Sequence, residues 1–420
     1  GKCSSCLARV NGVPNTRICI EPVRDGLVVE TQSGLPEIPS ETHGDVSEEE
    51  IEADAVVVGS GPAGLQAALT LAGHGLKVVL VEEHFKLGGQ LVKQTHRFFG
   101  DTAYYGGVRG FRIGELLAEK VRASSNIKVL TSTRVYGFFA EGYLGAATVT
   151  GEPRHYLIKS KYTIVATGAS ERLALFENND LPGVMGAGGA QTLMNEYGIR
   201  PGDRAVVVGS GNVGLIVAYQ LLQAGVDVKA ILELRDEIGG WFVHAAKIRR
   251  HGVPIKTRRT LLRVEGHDRV EKAVSVAVDG GYNPIPGTEE AYDVDLVLLA
   301  VGLQPSYALL GQMGAVVKHV PELGGLVPVR TWSMETSIPG VYVAGDLSGV
   351  EEATAAFLEG ELAARSILEK EGLADGGRAE VLHYLWNVYR MSPVLERARR
   401  GKLSVTLSEG EMEELRRGAG

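Results

Sequence analysis

A glycine pattern that occurs twice constrains this chain more than any other feature. Residues 55–83, AVVVGSGPAGLQAALTLAGHGLKVVLVEE, read as an apolar β-rich stretch, a glycine turn, a helix opening on small residues and a second strand. That is a complete βαβ unit. The same plan returns at 205–234, AVVVGSGNVGLIVAYQLLQAGVDVKAILEL. Gly59, Gly61, Gly64 and Gly75 recur as Gly209, Gly211, Gly214 and Gly225 at a spacing of 150, whereas Glu82, Gly88 and Gly89 recur as Glu233, Gly239 and Gly240 at 151. One residue is therefore inserted within the second strand of the second copy. Each copy continues with a predicted helix, at about 111–124 and about 241–251, and then with an apolar strand ending in a small-residue turn, TIVATG (163–168) and LVLLAVG (296–302). A chain built this way is an α/β protein with two Rossmann-like dinucleotide-binding domains.

The chemistry of such a turn fixes its residues. The first glycine allows the tight bend, the second lets a diphosphate approach the backbone, and the third lets helix and strand pack closely. Unpaired N–H groups at the helix start then face the phosphates. Gly59, Gly61 and Gly64 meet these demands, with Pro62 at the helix start, where its missing N–H costs little. Glu82 stands where it accepts from a ribose diol. Gly209, Gly211, Gly214 and Glu233 form a second set, and Glu233 still reaches a ribose if the inserted residue is absorbed as a bulge or a longer strand end. A carboxylate there disfavours a 2′-phosphate, so NAD(H) is expected over NADP(H). Arg235 keeps the alternative open, as does a degenerate copy holding another adenine nucleotide.

The motif order GxGxxG, ATG, GxGxxG, AVG and GVYVAGD resembles the two-dinucleotide flavoprotein family that includes thioredoxin reductase, NADH oxidases and ferredoxin reductases, over roughly residues 52–370. The resemblance implies a glutathione reductase-like fold with FAD on the first copy and a nicotinamide nucleotide on the second, the FAD domain being discontinuous. It implies an FAD domain at 52–182 plus 304–370, an NAD(P)-binding-like domain at 183–303 and a C-terminal helical tail at 371–420. Carried onto this sequence, it implies cofactor contacts from Gly59, Ser60, Gly61, Pro62, Ala63, Gly64, Glu82, Glu83, Gly89, Gln90, Val135, Ala166, Thr167 and Gly168. On the second copy it implies Gly209, Gly211, Asn212, Val213, Gly214 and Glu233. Gly302 marks the return crossover, and Gly345, Asp346, Glu352, Ala353 and Thr354 mark the turn and helix that face the flavin, with Asp346 on the ribityl chain. Disulfide reductases of the family carry a cysteine pair beside the flavin, and no cysteine follows Cys19 here, so that activity is not expected. In its place LGGQLVKQTHRFFG (87–100) offers Gln90, His96 and Arg97 as candidates for handling a proton or a carboxylate. The competing reading is a surface loop anchored by Phe98 and Phe99.

All three cysteines lie at the start. Cys3 and Cys6 have C-x2-C spacing, and Cys19 follows after twelve intervening residues. Plant-type 2Fe-2S domains use C-x4-C-x2-C and a distant fourth cysteine. The remaining ligand would then precede Gly1, and the chain does not open on Met. Zinc would want a fourth ligand that no second C-x2-C or H-x3-H pair supplies. The stretch at 10–32 also resembles the tail of the 2Fe-2S domain of hydrogen cyanide synthase, opine oxidase and D-hydroxyproline dehydrogenase complexes. NNDLPGVMGAGGAQTLMN (178–195) resembles the α subunits of sarcosine oxidase and proline dehydrogenase. Residues 1–30 are therefore read as part of a 2Fe-2S head, with Cys3, Cys6 and Cys19 as ligands, and 31–51 as a linker rich in Pro, Ser and acid.

A net charge of -8 recommends neither nucleic acid nor an anionic membrane as partner. No apolar run is long enough for a membrane span. Cysteines confined to one cluster fit a reducing compartment, so a cytoplasmic protein is expected. Together these readings give an FAD-dependent oxidoreductase. The favoured form is the electron-transferring α-type subunit of an amino acid or secondary amine dehydrogenase, which takes a small-molecule donor and has a second flavoprotein subunit for its partner. The alternative is a freestanding NADH:acceptor oxidoreductase.

Overall fold

The computed structural model describes residues 6–19, 21–34, 37, 46–97, 102–373 and 376–418. Contacts divide the chain into two units, Gly1–Ser47 and Glu48–Gly420.

The first unit is a small antiparallel sheet of β1 (Leu7–Val10), β2 (Val13–Arg17) and β3 (Val29–Glu30), in the order β2-β1-β3. Asn11 and Gly12 turn the hairpin with φ of 49° and 81°. A two-residue type I′ turn needs both of its residues at positive φ, and Asn-Gly is the pair that supplies them most readily. Much of the expected linker lies outside the described residues. Its end differs from expectation, because β4 (Ser47–Val58) already begins at Ser47. Glu49 pairs with Lys128, and the His155 ring is hydrogen-bonded to Glu48 at 2.8 Å, so these contacts hold the exposed acidic residues in line with the strand.

In the second unit, β4 leads into α1 (Pro62–Gly73) and β5 (Val78–Val81). Next come α2 (Gly110–Ala123), β6 (Ile127–Leu130), β7 (Thr133–Phe138), β8 (Tyr143–Thr148) and β9 (Arg154–Val165). These strands form one sheet in the order β6-β5-β4-β9-β8-β7, and the strand Val341–Val343 joins β9 in parallel. The twelve residues of β9 serve three neighbours, β4, β8 and Val341–Val343. Its first half pairs antiparallel with β8 and its last three residues lie against Val341–Val343.

Two short strands, β10 (Ala169–Glu171) and, later, β19 (Leu303–Pro305), run antiparallel where the chain leaves and re-enters this sheet. Between them lies a second sheet. It takes β11 (Val184–Gly186), α3 (Ala187–Tyr197), β12 (Arg204–Val208), α4 (Asn212–Gln223), β13 (Asp227–Leu232), α5 (Phe242–Arg250) and β14 (Ile255–Lys256). An antiparallel layer, β15 (Arg259–Glu265), β16 (Lys272–Ala277) and β17 (Glu290–Asp293), precedes β18 (Leu296–Leu299). The five parallel strands order as β11-β18-β12-β13-β14. Their apolar residues are buried on both faces, as a helix-covered parallel sheet requires.

The inserted residue is visible in the register. Ala205 pairs with Val228 but Val206 pairs with Ala230, so Lys229 is passed over as a bulge. The first copy runs from Ala55–Val78 to Val58–Val81 without a break.

The chain closes with α6 (Ala308–Gln312), α7 (Ala353–Lys370), α8 (Gly377–Asn387), α9 (Glu396–Leu403) and α10 (Glu409–Gly418). α7 crosses α1 closely. A Cβ on Gly360 would run into the Ala63 carbonyl, so the contact demands glycine.

Candidate functional site: two dinucleotide cradles

In the first cradle Gly59 has φ of 99°, and a Cβ there would lie 2.5 Å from the Ala166 carbonyl oxygen. A Cβ on Gly64 would collide with the Gly59 carbonyl. Both glycines are thus required by the protein's own packing. Gly61 differs: no atom lies within 4 Å of where its Cβ would stand. It caps α1 with an ordinary extended backbone, φ −66° and ψ −175°, and Pro62 follows at the first helical position. The space in front of Gly61, at a helix N-terminus, is what a diphosphate needs. Gly211 repeats this at the head of α4, with open space where its Cβ would be.

The acid of each cradle is held in the same way. The Ser60 N–H and hydroxyl donate to Glu82 Oε2 at 2.8 and 2.6 Å, and the His84 N–H donates to Oε1 at 2.8 Å. The Ser210 N–H and hydroxyl donate to Glu233 Oε2 at 2.9 and 2.6 Å, and the Arg235 N–H donates to Oε1 at 3.1 Å. The bulge at Lys229 has therefore absorbed the insertion without displacing the carboxylate. Burial alone would raise Glu233, but hydrogen bonds from Ser210 and Arg235, with the Arg235 charge, bring it below the ordinary carboxylate range. Arg235 itself folds back on that acid, its Nε 3.3 Å from Oε1. Beside this cradle a cleft of about 420 Å³ opens between Gly240 and α5, lined by Ile238, Phe242, Ala245, Ala246 and Arg249.

Several residues expected at the first cofactor also make contacts within the protein. The Ser60 hydroxyl, which also accepts from the Gly88 N–H at 3.2 Å, is spent inside the protein fixing Glu82. Glu83 turns outward to Arg134 at 2.8 Å. Gly89 lies against the back of the turn, where a Cβ would stand 2.8 Å from the Gly61 Cα. Val135 packs against the first core from β7. Ala166 donates its N–H to the Val58 carbonyl, and the Thr167 hydroxyl donates to the Ser306 carbonyl at 3.0 Å, so both brace the crossover. Gly168 and Gly302 take positive φ there, 69° and 115°.

At the same edge of the first sheet, Gly345 turns with φ of 73° beside Ala63 of α1, and Asp346 follows it. The Asp346 carboxyl accepts from the Glu351 N–H at 3.3 Å, and burial pushes it up to about 6. Glu352 caps α7 ahead of Ala353 and Thr354. Burial raises the Glu352 carboxyl, against a hydrogen bond from the Trp241 side chain in the second half of the unit. The Thr354 hydroxyl is bonded to the Tyr389 phenol.

The three candidate catalytic groups do not converge. Gln90 is exposed, and Arg97 donates to the Gly107 carbonyl at 3.2 Å within its own loop. His96 is pushed down to about 4 by burial, with the positive charges of His244 and Lys247 on α5 adding to the effect. This segment docks on the second sheet's helices rather than gathering at one reacting centre. Lys93 Nζ donates to the Gly188 carbonyl at 3.0 Å, and Gln220 Nε2 donates to Thr95 Oγ1 at 2.8 Å. Phe98 and Phe99 lie outside the described residues. Among the cysteines, the side chains of Cys6 and Cys19 are hydrogen-bonded to one another, and burial followed by that contact raises the Cys19 thiol. Cys3 lies outside the described residues, and among those described no group of three or more His, Cys, Asp or Glu gathers to hold a metal.

Both cradles leave open the space their second glycine faces, and each holds a carboxylate fixed by the serine of its turn. Residues 53–360 match the description "Pyridine nucleotide-disulphide oxidoreductase". The chain belongs to that family. Residues 1–34 match the 2Fe-2S iron-sulfur cluster binding domain. FAD and a 2Fe-2S cluster are the groups these two matches imply, and NAD(H) on the second cradle is consistent with the family's fold. Among relatives, the alpha subunit of sarcosine oxidase from Rhizobium meliloti (strain 1021) is 30% identical over 82% of this chain and 33% of its own length. An opine oxidase subunit from Agrobacterium tumefaciens (strain Ach5) is 30% identical over 75% of this chain and 65% of its own. The chain thus spans between a third and two-thirds of these curated relatives. Among solved structures, the L-proline dehydrogenase from P. horikoshii is similar with a TM-score of 0.69 and 27% identity, over 91% of this chain and 67% of that one. T. acidophilum thioredoxin reductase, at 22% identity and a TM-score of 0.61, shares the fold over 76% of this chain and 99% of its own. Among the described residues no helix is long and apolar enough to cross a membrane.

Sequence pattern gives no hint of chemistry in the C-terminal segment, yet that segment carries fully buried cations. Arg330, from the strand before it, and Arg390 and Lys402 within it are each no more than 1% exposed, and they surround Glu351 and Glu359. One signal is present: Glu359 falls on the same face of α7 as Ala355, Leu362 and Ser366, all buried.

Proposed function

We propose that this chain is the electron-transferring α-type subunit of an FAD-dependent amino acid or secondary amine dehydrogenase. Its donor is of the proline, sarcosine or opine class, and its electrons leave through a 2Fe-2S centre. The observation that carries this reading is the joining, in one chain, of a 2Fe-2S domain match to two cradles whose second glycines face open space. The names of the relatives supply the substrate class. On this reading 52–182 with 304–370 form the FAD domain and 183–303 the nucleotide domain, in a cytoplasmic complex with a second flavoprotein subunit.

FAD, when bound, takes up two electrons together and can release them one at a time. The residues do the rest. The N–H groups at the start of α1 receive the diphosphate in the space before Gly61, and Glu82, already oriented by Ser60 and His84, receives the ribose. Asp346 would hold the ribityl hydroxyls. The N-terminus of α7, with its partial positive charge, favours negative charge gathered in front of Ala353 and Thr354. Cys6 and Cys19, side by side in the first unit, serve as two of the cluster's thiolates, with Cys3 as a third.

A test follows flavin absorbance anaerobically in the reconstituted chain with its co-purifying subunit. Bleaching by proline, sarcosine or an opine, and none by NADH, is expected. Bleaching by NADH alone, with no second subunit co-purifying, selects a freestanding NADH:acceptor oxidoreductase. Arg235 folded onto Glu233 and the carboxylate held ionised favour NAD(H) over NADP(H) on the second cradle under either reading.

A further inference from the structure

One cation of the C-terminal segment, Lys402, bonds the turn that carries Asp346, and a second, Arg390, bonds the two carboxylates beside it. Lys402, at the end of α9, is fully buried, and its Nζ donates to Ser348 Oγ at 2.6 Å and to Glu359 Oε1 at 2.7 Å. Glu359 Oε2, in turn, accepts from the Gly345 N–H at 3.0 Å and from the Ser348 hydroxyl at 2.6 Å. Arg390, also fully buried, bonds Glu359 Oε1 and Glu351 Oε2, each at 2.5 Å. Glu351 stands two residues before α7 and gives its N–H to Asp346. Both backbone pieces that face the flavin, the Gly345–Ser348 turn and the lead into α7, are thus fastened from behind by side chains from residues 390 and 402.

We propose that Lys402 is a positioning residue of the flavin site, holding the Asp346 turn through Glu359 and Ser348 while Arg390 holds the start of α7 through Glu351. The inference rests on FAD occupying the first cradle.

The arrangement asks more of Lys402 than filling a core. A buried ammonium is costly unless its hydrogen bonds are placed well, and an apolar side chain would fill the same volume more cheaply. Its hydrogen-bond acceptors are Ser348 of the turn itself and the carboxylate that grips Gly345. The charges also close on Asp346. Arg330, Arg390 and Lys402 are balanced by Glu351, Glu359 and an ionised Asp346, and the Lys402 charge favours that ionised form. Among the described residues Arg330 Nε and Nη1 have no hydrogen-bond partner, and the charges of Glu359 and Glu351 favour this cation.

The test uses the full chain, stripped of flavin and titrated with FAD, in wild type and in Lys402→Met, Ser348→Ala and the double variant Lys402→Met/Glu359→Gln. Affinity is read from flavin fluorescence quenching and the midpoint potential from dye equilibration. Lys402→Met is expected to weaken FAD at least tenfold and to shift the potential negative, because a cation behind the reduced flavin is gone. Ser348→Ala, which leaves every charge in place, is expected to weaken FAD about threefold or more with little change in potential. The double variant is expected to recover part of the affinity, since it no longer strands the Glu359 carboxylate. A folded Lys402→Met chain with wild-type affinity and potential overturns the proposal. Where Lys402→Met fails to fold, unchanged affinity in Ser348→Ala overturns it instead. A wild-type chain that takes up no FAD overturns the flavin reading and this inference together, whereas binding that all variants match overturns the positioning role alone.

Discussion

Gly61→Ala separates what the fold needs from what the cofactor needs. No atom lies within 4 Å of the added methyl group, and the backbone at Gly61 is one that alanine adopts freely. Alanine is a poorer N-cap than glycine, by roughly 0.5–1 kcal/mol. It also restricts the unfolded chain, which returns roughly 0.4–1 kcal/mol. The two offset, so the flavin-free protein should unfold within about 1 kcal/mol of wild type. The bound state differs, because the methyl group occupies the space through which the diphosphate approaches the α1 N–H groups. Losing one hydrogen bond to a charged group costs about 1.5–3 kcal/mol, which corresponds to roughly a ten- to hundredfold weaker FAD. The assay pairs thermal unfolding of flavin-free protein with FAD titration by fluorescence quenching. Gly64→Ala is the contrasting control: its methyl group would collide with the Gly59 carbonyl, so it should lose stability with or without FAD. Wild-type FAD affinity in Gly61→Ala would refute the placement of the diphosphate at the head of α1.

Three further outcomes follow from particular groups. Asp346 is raised to about 6 by burial, so its contribution to stability is present below the unfolded value of 3.8 and is lost as pH rises through 6. Asp346→Asn should therefore make the flavin-free protein more stable at pH 8, by roughly 1–3 kcal/mol in denaturant titrations, while weakening FAD; no gain at pH 8 would contradict the burial argument. His96 is held down to about 4, so the stability its neutral form confers is present above the ordinary value of 6.5 and lost as pH falls toward 4. His96→Gln should flatten that limb of the pH–stability curve, and an unchanged curve would place the histidine in water. Deleting Lys229 should restore the unbroken register of the first copy, leaving the melting temperature within a few degrees and nucleotide binding intact. A collapse of either would show that the bulge has a role of its own.

The parts of this molecule that repeat were the parts legible in its sequence. GxGxxG imposes steric demands that only glycine meets, at Gly59 and Gly64 and again at Gly209 and Gly214, so spacing alone carried the cradles. The insertion before Glu233 was equally readable, and Lys229 absorbs it in the register. What sequence did not disclose depends on residues distant in the chain. No local pattern links Ser60 to Glu82, which stands 22 positions on and accepts from its hydroxyl. His96 and Arg97 are candidates by chemical type alone, and their surroundings are set by α5 and by the 107 turn, elements that no local pattern links to them. Lys402 and Arg390 were hidden most completely. They lie in a stretch rich in basic residues, where charge ordinarily marks a solvated face, and only the tertiary fold brings them under Glu359.

The most direct measurement of the whole account is the flavin content of the chain after reconstitution with FAD and removal of the excess, released by heat and identified chromatographically. One FAD per chain is predicted, falling to a small fraction of that in Gly61→Ala and unchanged in Gly211→Ala. No flavin retained, or retention lost through Gly211→Ala and not through Gly61→Ala, would contradict the assignment of FAD to the first cradle.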